Sequence, residues 1–419
     1  MTVRVASNLP PGAVHAPDAG RNAEPVPRGK PAGRPLRIAE IITGLERGGA
    51  ELMLLRLLGA LDRRRFAPQV FSLRPAGVIG TQIADLGIPV HSAGIRGALP
   101  GPGELRRFGR QLCGMRPDLI HTWMYHADLL GGVVGRAVCR VPVIWALHNS
   151  TLDPAQVGLA TRLTVRVNAL LSRLVPARIV SCSQTAAGVH GSLGYPRDRL
   201  LIIPNGFDID AYRPDADARR AVRSELGLAE DAFLIGSFAR FHPQKDHRTL
   251  CRAAGLIAAS RPDVHFLLAG GGIDAANVVL VQWLRESGAA DRCHLLGERD
   301  DMPRLTAALD LALMTSSFGE AFPLVIGEAM ACAVPCVVTD VGDARAMVGD
   351  TGRVVPPRDA HALAGAVLEL LASSPGERTA LGRRARAKIE AELSLTAIAD
   401  RYAALYETVL AERGRGDSG

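Results

Sequence analysis

The sequence predicts an α/β protein in which two units, each a parallel sheet covered by helices, face each other across a central cleft. Two observations carry this prediction. Short apolar runs rich in β-branched residues alternate with longer helical patterns, which is typical of βαβ units. A turn-rich segment divides these runs into two series of similar length. The 419 residues, 47% hydrophobic and 22% charged, are enough for two ordinary globular domains.

Residues 1–34 are rich in Pro, Gly, Ala and Arg and lack the continuous apolar core of a signal peptide. We expect this segment to be a disordered leader. Nowhere in the chain does an uninterrupted apolar stretch approach the roughly 18–20 residues of a transmembrane helix. Any contact with a membrane is therefore expected to be peripheral.

The first unit, residues 35–205, is the predicted amino-terminal domain. Its candidate strands are short runs dominated by aliphatic and aromatic residues, and helical patterns fill the intervals between them. These strands are predicted at 36–43, 67–73, 118–123, 141–147 and 177–183.

One helical pattern of this unit, residues 159–175, combines arginines with many apolar residues. Two interpretations are open, since such a helix can lie on an anionic membrane surface or pack on the protein and expose a basic face. The arginines fall roughly on one side of the helix: Arg162, Arg166 and Arg173. The apolar residues lie largely on the other sides: Leu163, Val167, Leu170, Leu171 and Leu174.

The segment between the two units carries turn and helix-breaking residues that predict a hinge near residues 205–230: Pro204, Asn205, Gly206 and Pro214. The second unit, residues 206–394, continues the alternation as the predicted carboxy-terminal domain. Its strands are predicted at 233–239, 264–270, 293–297, 311–316 and 335–340.

The seven cysteines form no CxxC pair and no Cys/His zinc spacing. Because their number is odd and the chain is large, reduced thiols in a cytoplasmic protein are the simplest expectation.

The net charge of +7 is unevenly distributed. Residues 35–205 carry 20 basic and 10 acidic side chains, a net charge of +10, whereas residues 206–419 carry 24 basic and 30 acidic ones, a net charge of −6. The basic surface of the first half could attract nucleic acid, anionic lipid or an acidic substrate. The alternative is that its arginines only keep the surfaces of helices soluble. A nucleic-acid-binding protein is disfavoured by the 4% aromatic content and the acidic second half.

The chemistry is predicted in loops that follow strands, because ligands of open α/β sheets bind at the carboxyl ends of the strands. The segment SSFGEAFPLVIGEAMACAVPCVVTDVG, residues 316–342, places Glu320 and Glu328 eight positions apart in apolar surroundings, where ionised carboxylates are rare unless something binds them. Pro323 is suited to the first turn of a helix, whose free N–H groups and positive dipole end attract a phosphate.

The loop RFHPQKDH, residues 240–247, follows another predicted strand and supplies two cations. The chain has 46 Arg but only 3 Lys, so Lys245 indicates a place where a compact ammonium is wanted, while Arg240 offers a bidentate fork. Two cations at the end of a strand suit a diphosphate.

Two loops of the first unit are further candidates. Gly48 and Gly49 let the backbone approach a ligand closely, but GLERGGAE is not the G-x-G-x-x-G pattern, so a nicotinamide cofactor is unsupported. His148 directly follows a predicted strand and faces the presumed cleft. No metal is expected, because metal-ligand spacings are missing and the short Asp pairs lie in turn-rich stretches.

Taken together, these segments resemble the retaining glycosyltransferases of family 4. The stretch 316–342 resembles their E-x7-E signature, with Ala333 where a glycine is often found, and GLERGGAE resembles their amino-terminal glycine loop. The resemblance covers about residues 36–412. It implies the GT-B fold, two Rossmann-like domains facing a central cleft, with a carboxy-terminal helix at about 395–412 that crosses back to the amino-terminal domain. Supporting matches are FARFHPQKDH, LLAGGG, HLLGERDDMPRLTAALDLALMTS and IIPNGFDIDAYRP.

The resemblance also implies the roles of five side chains. Arg240 and Lys245 would hold the diphosphate of a nucleotide-sugar donor, and Glu328 would bind its ribose hydroxyls. Glu320 would contact the donor sugar. His148 would lie beside the transferred sugar, near the acceptor.

Backbone groups complete the implied site. The N–H groups around Phe322, Pro323 and Leu324 would support the phosphates, and Gly48 and Gly49 would close on the donor from the other domain. No cofactor and no metal are implied.

The implied reaction moves a hexose-type sugar to an acceptor hydroxyl with retained configuration, by a same-face route or through a covalent intermediate. The segments TWMYHADLLGG and VIWALHNST resemble members assigned to bacterial surface-polysaccharide synthesis. That resemblance implies a saccharide acceptor, such as a lipid-linked one for exopolysaccharide, capsule or lipopolysaccharide, at the inner face of the cytoplasmic membrane. A nucleotide-sugar epimerase of the same fold is the alternative.

Overall fold

The computed structural model of the chain describes residues 34–95, 100–150 and 157–416. The expected disordered leader, residues 1–34, lies outside the described residues except for Arg34. Two parallel sheets, each covered by helices on its two faces, form the described part of the chain, which confirms the predicted fold class. None of the helices described has both the length and the apolar content needed to cross a bilayer.

The first sheet has seven parallel strands in the order β3-β2-β1-β4-β5-β6-β7. The strands are β1 Leu36–Ile42, β2 Phe66–Ser72, β3 Val90–Ser92, β4 Leu119–Trp123, β5 Val143–Leu147, β6 Arg178–Ser181 and β7 Leu200–Ile202. The helices around them are α1 Gly49–Ala60, α2 Val78–Asp85, α3 Pro102–Gly114, α4 Tyr125–Val134, α5 Leu159–Leu171 and α6 Gln184–Ser192, with a π-helical segment at Gly135–Cys139.

The second sheet has six parallel strands in the order β10-β9-β8-β11-β12-β13. They are β8 Phe233–Phe238, β9 Val264–Ala269, β10 Cys293–Leu295, β11 Leu311–Met314, β12 Cys336–Thr339 and β13 Gly352–Val355. The helices are α7 Ala216–Glu225, α8 His247–Ser260, α9 Val278–Ser287, α10 Met302–Ala307, α11 Leu324–Ala331, α12 Ala344–Val348, α13 Ala360–Ala372, α14 Pro375–Lys388 and α15 Leu395–Gly416.

The strand order places the predicted site loops at one location. In each sheet the connection reverses direction beside the first strand of the unit, between β1 and β4 and between β8 and β11. Such a switch point leaves a crevice at the carboxyl ends of the strands, where ligands bind in open α/β sheets. The loops after β1, β8 and β11 therefore meet across the two sheets.

All ten predicted strands are present, and three others were missed: β3, β7 and β13. Two of them are only three residues long, and all three lie at sheet edges. A run of three or four residues is too short to show a periodic pattern in the sequence. An edge strand also packs against fewer apolar side chains than a central strand, so its own residues need not be apolar.

The last helix, α15, packs on the first domain although it follows the second domain in sequence. Its residues Ile398, Tyr402, Tyr406 and Val409 are buried in the same apolar core as β1 and α1. This arrangement confirms the crossing-back helix that the family resemblance implied.

A buried polar cluster fixes α15 to the first sheet. Tyr406 donates to Glu40 Oε1 at 3.2 Å, and its hydroxyl lies 2.9 Å from His121 Nδ1. Trp123 Nε1 donates to Glu40 Oε2 at 2.7 Å. Because all four side chains are buried, every polar atom that lost its partner would carry the cost of desolvation.

The expectation of reduced thiols was wrong for two of the seven cysteines. Cys113 at the end of α3 and Cys139 at the end of the π-helical segment form a disulfide. No sequence pattern marked this pair, because the partners are 26 residues apart and lie in different helical segments. The other five cysteines are free thiols.

Reduction of this disulfide is expected to destabilise the first domain. Opening a loop of 26 residues restores chain entropy to the unfolded state and costs on the order of 3 kcal/mol. Thermal unfolding with and without reductant measures this loss. A thiol titration of the denatured, unreduced protein should find five reactive groups, the free cysteines, whereas reactivity of all the cysteines would contradict the assignment.

Ala333 occupies a position that favours glycine. It follows α11 with φ +57°, and Val334 N donates to Ala329 O while Ala333 N donates to Met330 O, both at 2.9 Å. This is the Schellman arrangement of a helix end, whose left-handed residue is usually glycine. The departure from the family signature therefore leaves a strained alanine at the end of α11.

Replacing Ala333 with glycine is expected to stabilise the protein by about 1 kcal/mol, because the left-handed strain is relieved. Denaturant unfolding of Ala333→Gly measures the change. Ala329→Gly, in the middle of α11, is the matched control and should destabilise the protein. The account of strain is refuted if both glycine variants lose stability to the same extent.

Candidate active site

A cavity of about 480 Å3 lies between the two domains, at the carboxyl ends of both sets of strands. Loops of the first domain line one side, and the loops after β8 and β11 line the other. The structure brings together nine of the ten predicted site residues along this cavity: Gly48, Gly49, His148, Arg240, Lys245, Glu320, Phe322, Pro323 and Leu324.

Glu320 and Lys245 form the centre of the second-domain side. Lys245 Nζ donates to Glu320 Oε1 at 2.5 Å, and Ser316 Oγ donates to the same oxygen at 2.6 Å. The loops that carry them are also joined through their backbones, because Ser317 N donates to Gln244 O at 2.8 Å. Glu320 is only 8% exposed, so the pair is held in a largely desolvated position.

The backbone beside Glu320 requires a glycine. Gly342 has φ +62°, and a Cβ at this residue would lie 2.2 Å from the carbonyl oxygen of Glu320. The next residue, Asp343, accepts hydrogen bonds from the backbone N–H groups of Gln184 and Thr185 at 2.7 and 2.9 Å. Asp343 thereby caps α6 of the first domain and fixes the two domains to each other next to the Glu320 loop.

The helix α11 begins at Leu324, one residue later than the sequence predicted, and Pro323 is its N-cap. The first N–H groups of a helix have no carbonyl acceptor inside the helix, and the dipole makes this end positive. Leu324 and Val325 line the cavity, so this end of α11 faces it. An anion in the cavity would meet free donors here.

Arg240 is exposed at the rim of the cavity, directly after β8. The loop after β9 comes very close to it, since a Cβ on Gly270 would lie 2.4 Å from Ala239 O and 2.9 Å from Arg240 N. The glycines of LLAGGG thus allow the backbone contact that holds the Arg240 loop. Two cations, Arg240 and Lys245, therefore stand on the same side as the start of α11.

Glu328 is the predicted site residue that does not line the cavity. Its Oε1 accepts a hydrogen bond from Arg56 Nη2 of α1 at 2.5 Å, and both side chains are almost fully buried. The Arg56 guanidinium also lies over the ring of Tyr212, 5.8 Å from its centroid. Glu328 thus joins the two domains, and its binding of ribose stays a prediction.

His148 lies on the first-domain side of the cavity. Its ring stacks on Trp123 with centroids 5.0 Å apart and planes 19° apart. Burial, with a smaller effect of His121, lowers the pKa of His148 to about 3, so the imidazole is neutral at physiological pH. Its Nε2 is buried and has no hydrogen-bond partner among the described residues, which leaves it available to a hydroxyl.

Several cavity residues were missed in the sequence. Arg47 and Glu51 flank the glycine pair, and Arg47 donates to Glu298 at 3.2 Å and to Asp300 at 2.9 Å across the cleft. A Cβ on Gly48 would lie 2.3 Å from a carboxylate oxygen of Glu51, so a larger residue at 48 would displace the end of the flexible Glu51 side chain. Charged residues on both sides of a glycine pair were the signal that could have identified them.

Met124 is another cavity residue that the sequence did not identify. It has φ 74° and ψ 155°, a region that is essentially restricted to glycine. Its N–H donates to Ala146 O at 3.1 Å, which holds the strained backbone between β4 and α4. No sequence pattern marks such a residue, because its backbone angles and its bond to β5 are visible only in the folded chain.

The short Asp pairs have structural partners. Asp215 accepts hydrogen bonds from the N–H groups of Asp217 and Ala218 at the start of α7. Asp208 accepts hydrogen bonds from the N–H groups of Asp210 and Ala211 in a turn. Across residues 34–95, 100–150 and 157–416, no three His, Cys, Asp or Glu side chains are grouped as a metal site requires. The expectation of a metal-free site stays a prediction.

Comparison with known proteins identifies the family. Residues 47–211 match the family described as Glycosyltransferase Family 4, and residues 232–373 match Glycosyl transferases group 1. The D-inositol 3-phosphate glycosyltransferase of Mycobacterium bovis (strain BCG / Pasteur 1173P2) is 32% identical over 400 residues, which cover 87% of this chain and 80% of the relative. A protein of Bacillus subtilis (strain 168) named as a glycosyltransferase, EpsF, is 24% identical over 311 residues, 73% of this chain and 79% of the relative.

Solved structures agree with this match. The Anabaena protein Alr3699/HepE, crystallised in complex with UDP-glucose, superposes with a TM-score of 0.77 and 25% identity, covering 89% of this chain and 100% of HepE. Sucrose-phosphate synthase from Thermosynechococcus elongatus superposes with a TM-score of 0.73 at 23% identity, over 90% of this chain and all of that chain, and supports the fold alone. The predicted family and fold are confirmed: the chain belongs to glycosyltransferase family 4 and has the GT-B fold.

Proposed function

We propose that this glycosyltransferase transfers a sugar from a nucleoside-diphosphate sugar to an acceptor hydroxyl and retains the configuration of the sugar. The observation that carries the proposal is the Lys245–Glu320 pair, placed beside the start of α11 in the cavity between the domains. HepE, crystallised with UDP and with UDP-glucose, supports a uridine nucleotide as the first donor to test.

Stabilisation of the departing diphosphate would supply the main catalytic effect. Negative charge develops on the leaving phosphate as the bond to the sugar breaks, and Arg240, Lys245 and the N–H groups at the start of α11 all face the space where it would collect. Glu320 holds the Lys245 ammonium in place and would contact the donor sugar. Because Lys245 and Glu320 are held by hydrogen bonds before the donor arrives, little reorganisation of these two side chains is needed during the reaction.

The ribose is assigned to Glu328 as a further part of the proposal. Glu328 lies one helical turn after Leu324, which lines the cavity, and its carboxylate is bonded to Arg56 of the first domain. Binding of ribose hydroxyls there would compete with Arg56 or share the carboxylate with it. Nucleotide binding and the contact between α1 and α11 would therefore be coupled.

The acceptor is assigned to a second cavity of about 460 Å3 in the first domain. Glu51, Met124 and Asn149 line both this cavity and the donor cavity, so the two spaces adjoin. Arg74, which lines this cavity, suits an acceptor with an acidic group, and His126 beside it can supply a hydrogen bond. Together with the net charge of +10 on residues 35–205, they support a lipid-linked saccharide of cell-surface polysaccharide synthesis at the cytoplasmic face of the membrane.

Transfer is preferred over the epimerase alternative. The curated relatives described above are named as glycosyltransferases, and the second cavity offers an acceptor site that an epimerase would not need.

Nucleotide binding is expected to raise the thermal stability of the protein. A ligand at about 100 times its Kd stabilises the folded state by about 2.7 kcal/mol. Thermal unfolding with UDP, ADP and GDP, each alone, measures this shift, and UDP is expected to give the largest one. The donor assignment fails if none of the nucleoside diphosphates moves the midpoint.

Removing either member of the central pair is expected to slow transfer strongly while the fold remains. Lys245→Ala should lower kcat by about 10²–10³-fold, since one charged contact to the leaving group is lost, and Glu320→Gln should have an effect of similar size. Release of nucleoside diphosphate from the donor identified by the thermal shifts measures turnover. Lys388→Ala is the matched control, because Lys388 does not line the cavity and its Nζ donates to Ala346 O. Wild-type rates in both site variants would refute the assignment.

A further inference from the structure

The helix α5 exposes an apolar stripe to solvent. Leu159, Leu163, Val167 and Leu170 follow one another at spacings of four, four and three, which places them on one side of the helix. Their exposed fractions are 67%, 51%, 41% and 79%, and Leu174, in the turn after the helix, is 70% exposed. No described residue covers this stripe.

The opposite side of α5 packs on the first domain. Val165 and Asn168 are buried there, and Asn168 Nδ2 donates to Tyr125 O of α4 at 2.8 Å. The helix is therefore held in place by its inner face, and the leucines of its outer face are not needed for that packing. Of the two interpretations of residues 159–175, the packed helix with an exposed basic face agrees with this packing, but the exposed face is apolar as well as basic.

Arginines border the stripe along its length. Arg162 and Arg166 lie on α5 beside the leucines, and Arg173 lies in the turn that follows. Leu174 lines a surface cavity of about 640 Å3 that also contains Arg136 and Arg140. None of these five arginines forms an ion pair with a described residue. A row of leucines flanked by unpaired arginines is the pattern of a helix that lies in a membrane interface.

We propose that α5 is the surface by which this protein docks on an anionic lipid bilayer. The leucines and Val167 insert among the lipid headgroups, and the arginines bind the lipid phosphates. The segment 159–175 contains no acidic residue, so the same charge that attracts lipid phosphates disfavours two copies of the stripe facing each other. Charge complementarity therefore selects a membrane rather than a second copy of the chain.

The location of α5 connects this surface to the acceptor cavity. Thr161, in the first turn of the helix, lines the 460 Å3 cavity together with Arg74 and His126. A bilayer lying along α5 would bring its headgroups to the mouth of that cavity. As a route for a lipid-linked acceptor, this inference rests on the proposed function; as a docking surface, it does not.

Vesicle flotation of the full-length protein tests the proposal. Vesicles of phosphatidylcholine alone are compared with vesicles of equal parts phosphatidylcholine and phosphatidylglycerol, at low and high salt. The wild-type protein is expected to bind the anionic vesicles at low salt, at least tenfold more tightly than the neutral ones, and to be released by salt. Absence of binding to anionic vesicles at low salt would overturn the proposal.

Paired variants locate the surface. Leu163→Glu with Leu170→Glu should lower binding to the anionic vesicles at least tenfold. Val278→Glu with Val279→Glu is the matched control, because these valines are 75% and 44% exposed on α9 of the other domain. Equal binding by the α5 variant and the wild type would overturn the assignment to α5. So would light scattering that shows a wild-type dimer dissociated by the α5 substitutions, with no binding to vesicles.

The thermal shift with UDP separates this inference from the proposed function. The α5 variant should keep the wild-type shift, since α5 does not line the donor cavity. An α5 variant that no longer binds vesicles but keeps the thermal shift with UDP supports α5 as the docking surface. A wild-type protein that shows no thermal shift with UDP refutes the donor site but leaves the proposal for α5 unaffected. If the shift disappears only in the α5 variant, the substitutions have disturbed the fold, and Arg162→Glu with Arg166→Glu must then reduce anionic binding for the proposal to stand.

Discussion

The ion pair between Lys245 and Glu320 is the contact on which the arrangement of the cleft depends. It joins the loop after β8 to the loop after β11, and Ser150 Oγ of the first domain donates to the backbone oxygen of Glu320 at 2.6 Å. A buried ion pair contributes little net stability, because both charges lose their hydration, whereas removing one member leaves a costly unpaired charge. Its value here is positional, since it fixes an ammonium group, a carboxylate and the start of α11 in one small space.

The opposite wall of the cleft depends on a second buried cluster. Trp123 is fixed by its bond to Glu40, which also accepts from Tyr406 of α15, and the same indole stacks on His148. The carboxy-terminal helix therefore supports a side chain in the cavity without touching the cavity itself. Since α15 follows the second domain in sequence but packs on the first, this cluster forms only after both domains have been synthesised.

The sequence predicted the parts of the site that depend on local chemistry. Glu320, Lys245 and the start of α11 were predictable because each lies in the loop directly after a strong apolar strand. Glu328 differs, since its distance from Glu320 was visible but its bond to Arg56, 272 residues away in sequence, was not. The disulfide, the strained Met124 and the exposed leucines of α5 were likewise not predictable from the sequence. Each depends on how separate elements pack against one another. Local patterns thus predicted the loops, while the contacts between elements required the fold.

A crystal structure of the protein with UDP bound tests the central claim most directly. The claim is that the Lys245–Glu320 pair, Arg240 and the start of α11 form one preorganised site for the diphosphate of a nucleotide donor. The account predicts phosphate oxygens within hydrogen-bond distance of Arg240, of Lys245 Nζ and of the first N–H groups of α11, with Lys245 and Glu320 still in contact. A diphosphate bound away from all three, or reached only after the Lys245–Glu320 pair has separated, would contradict it.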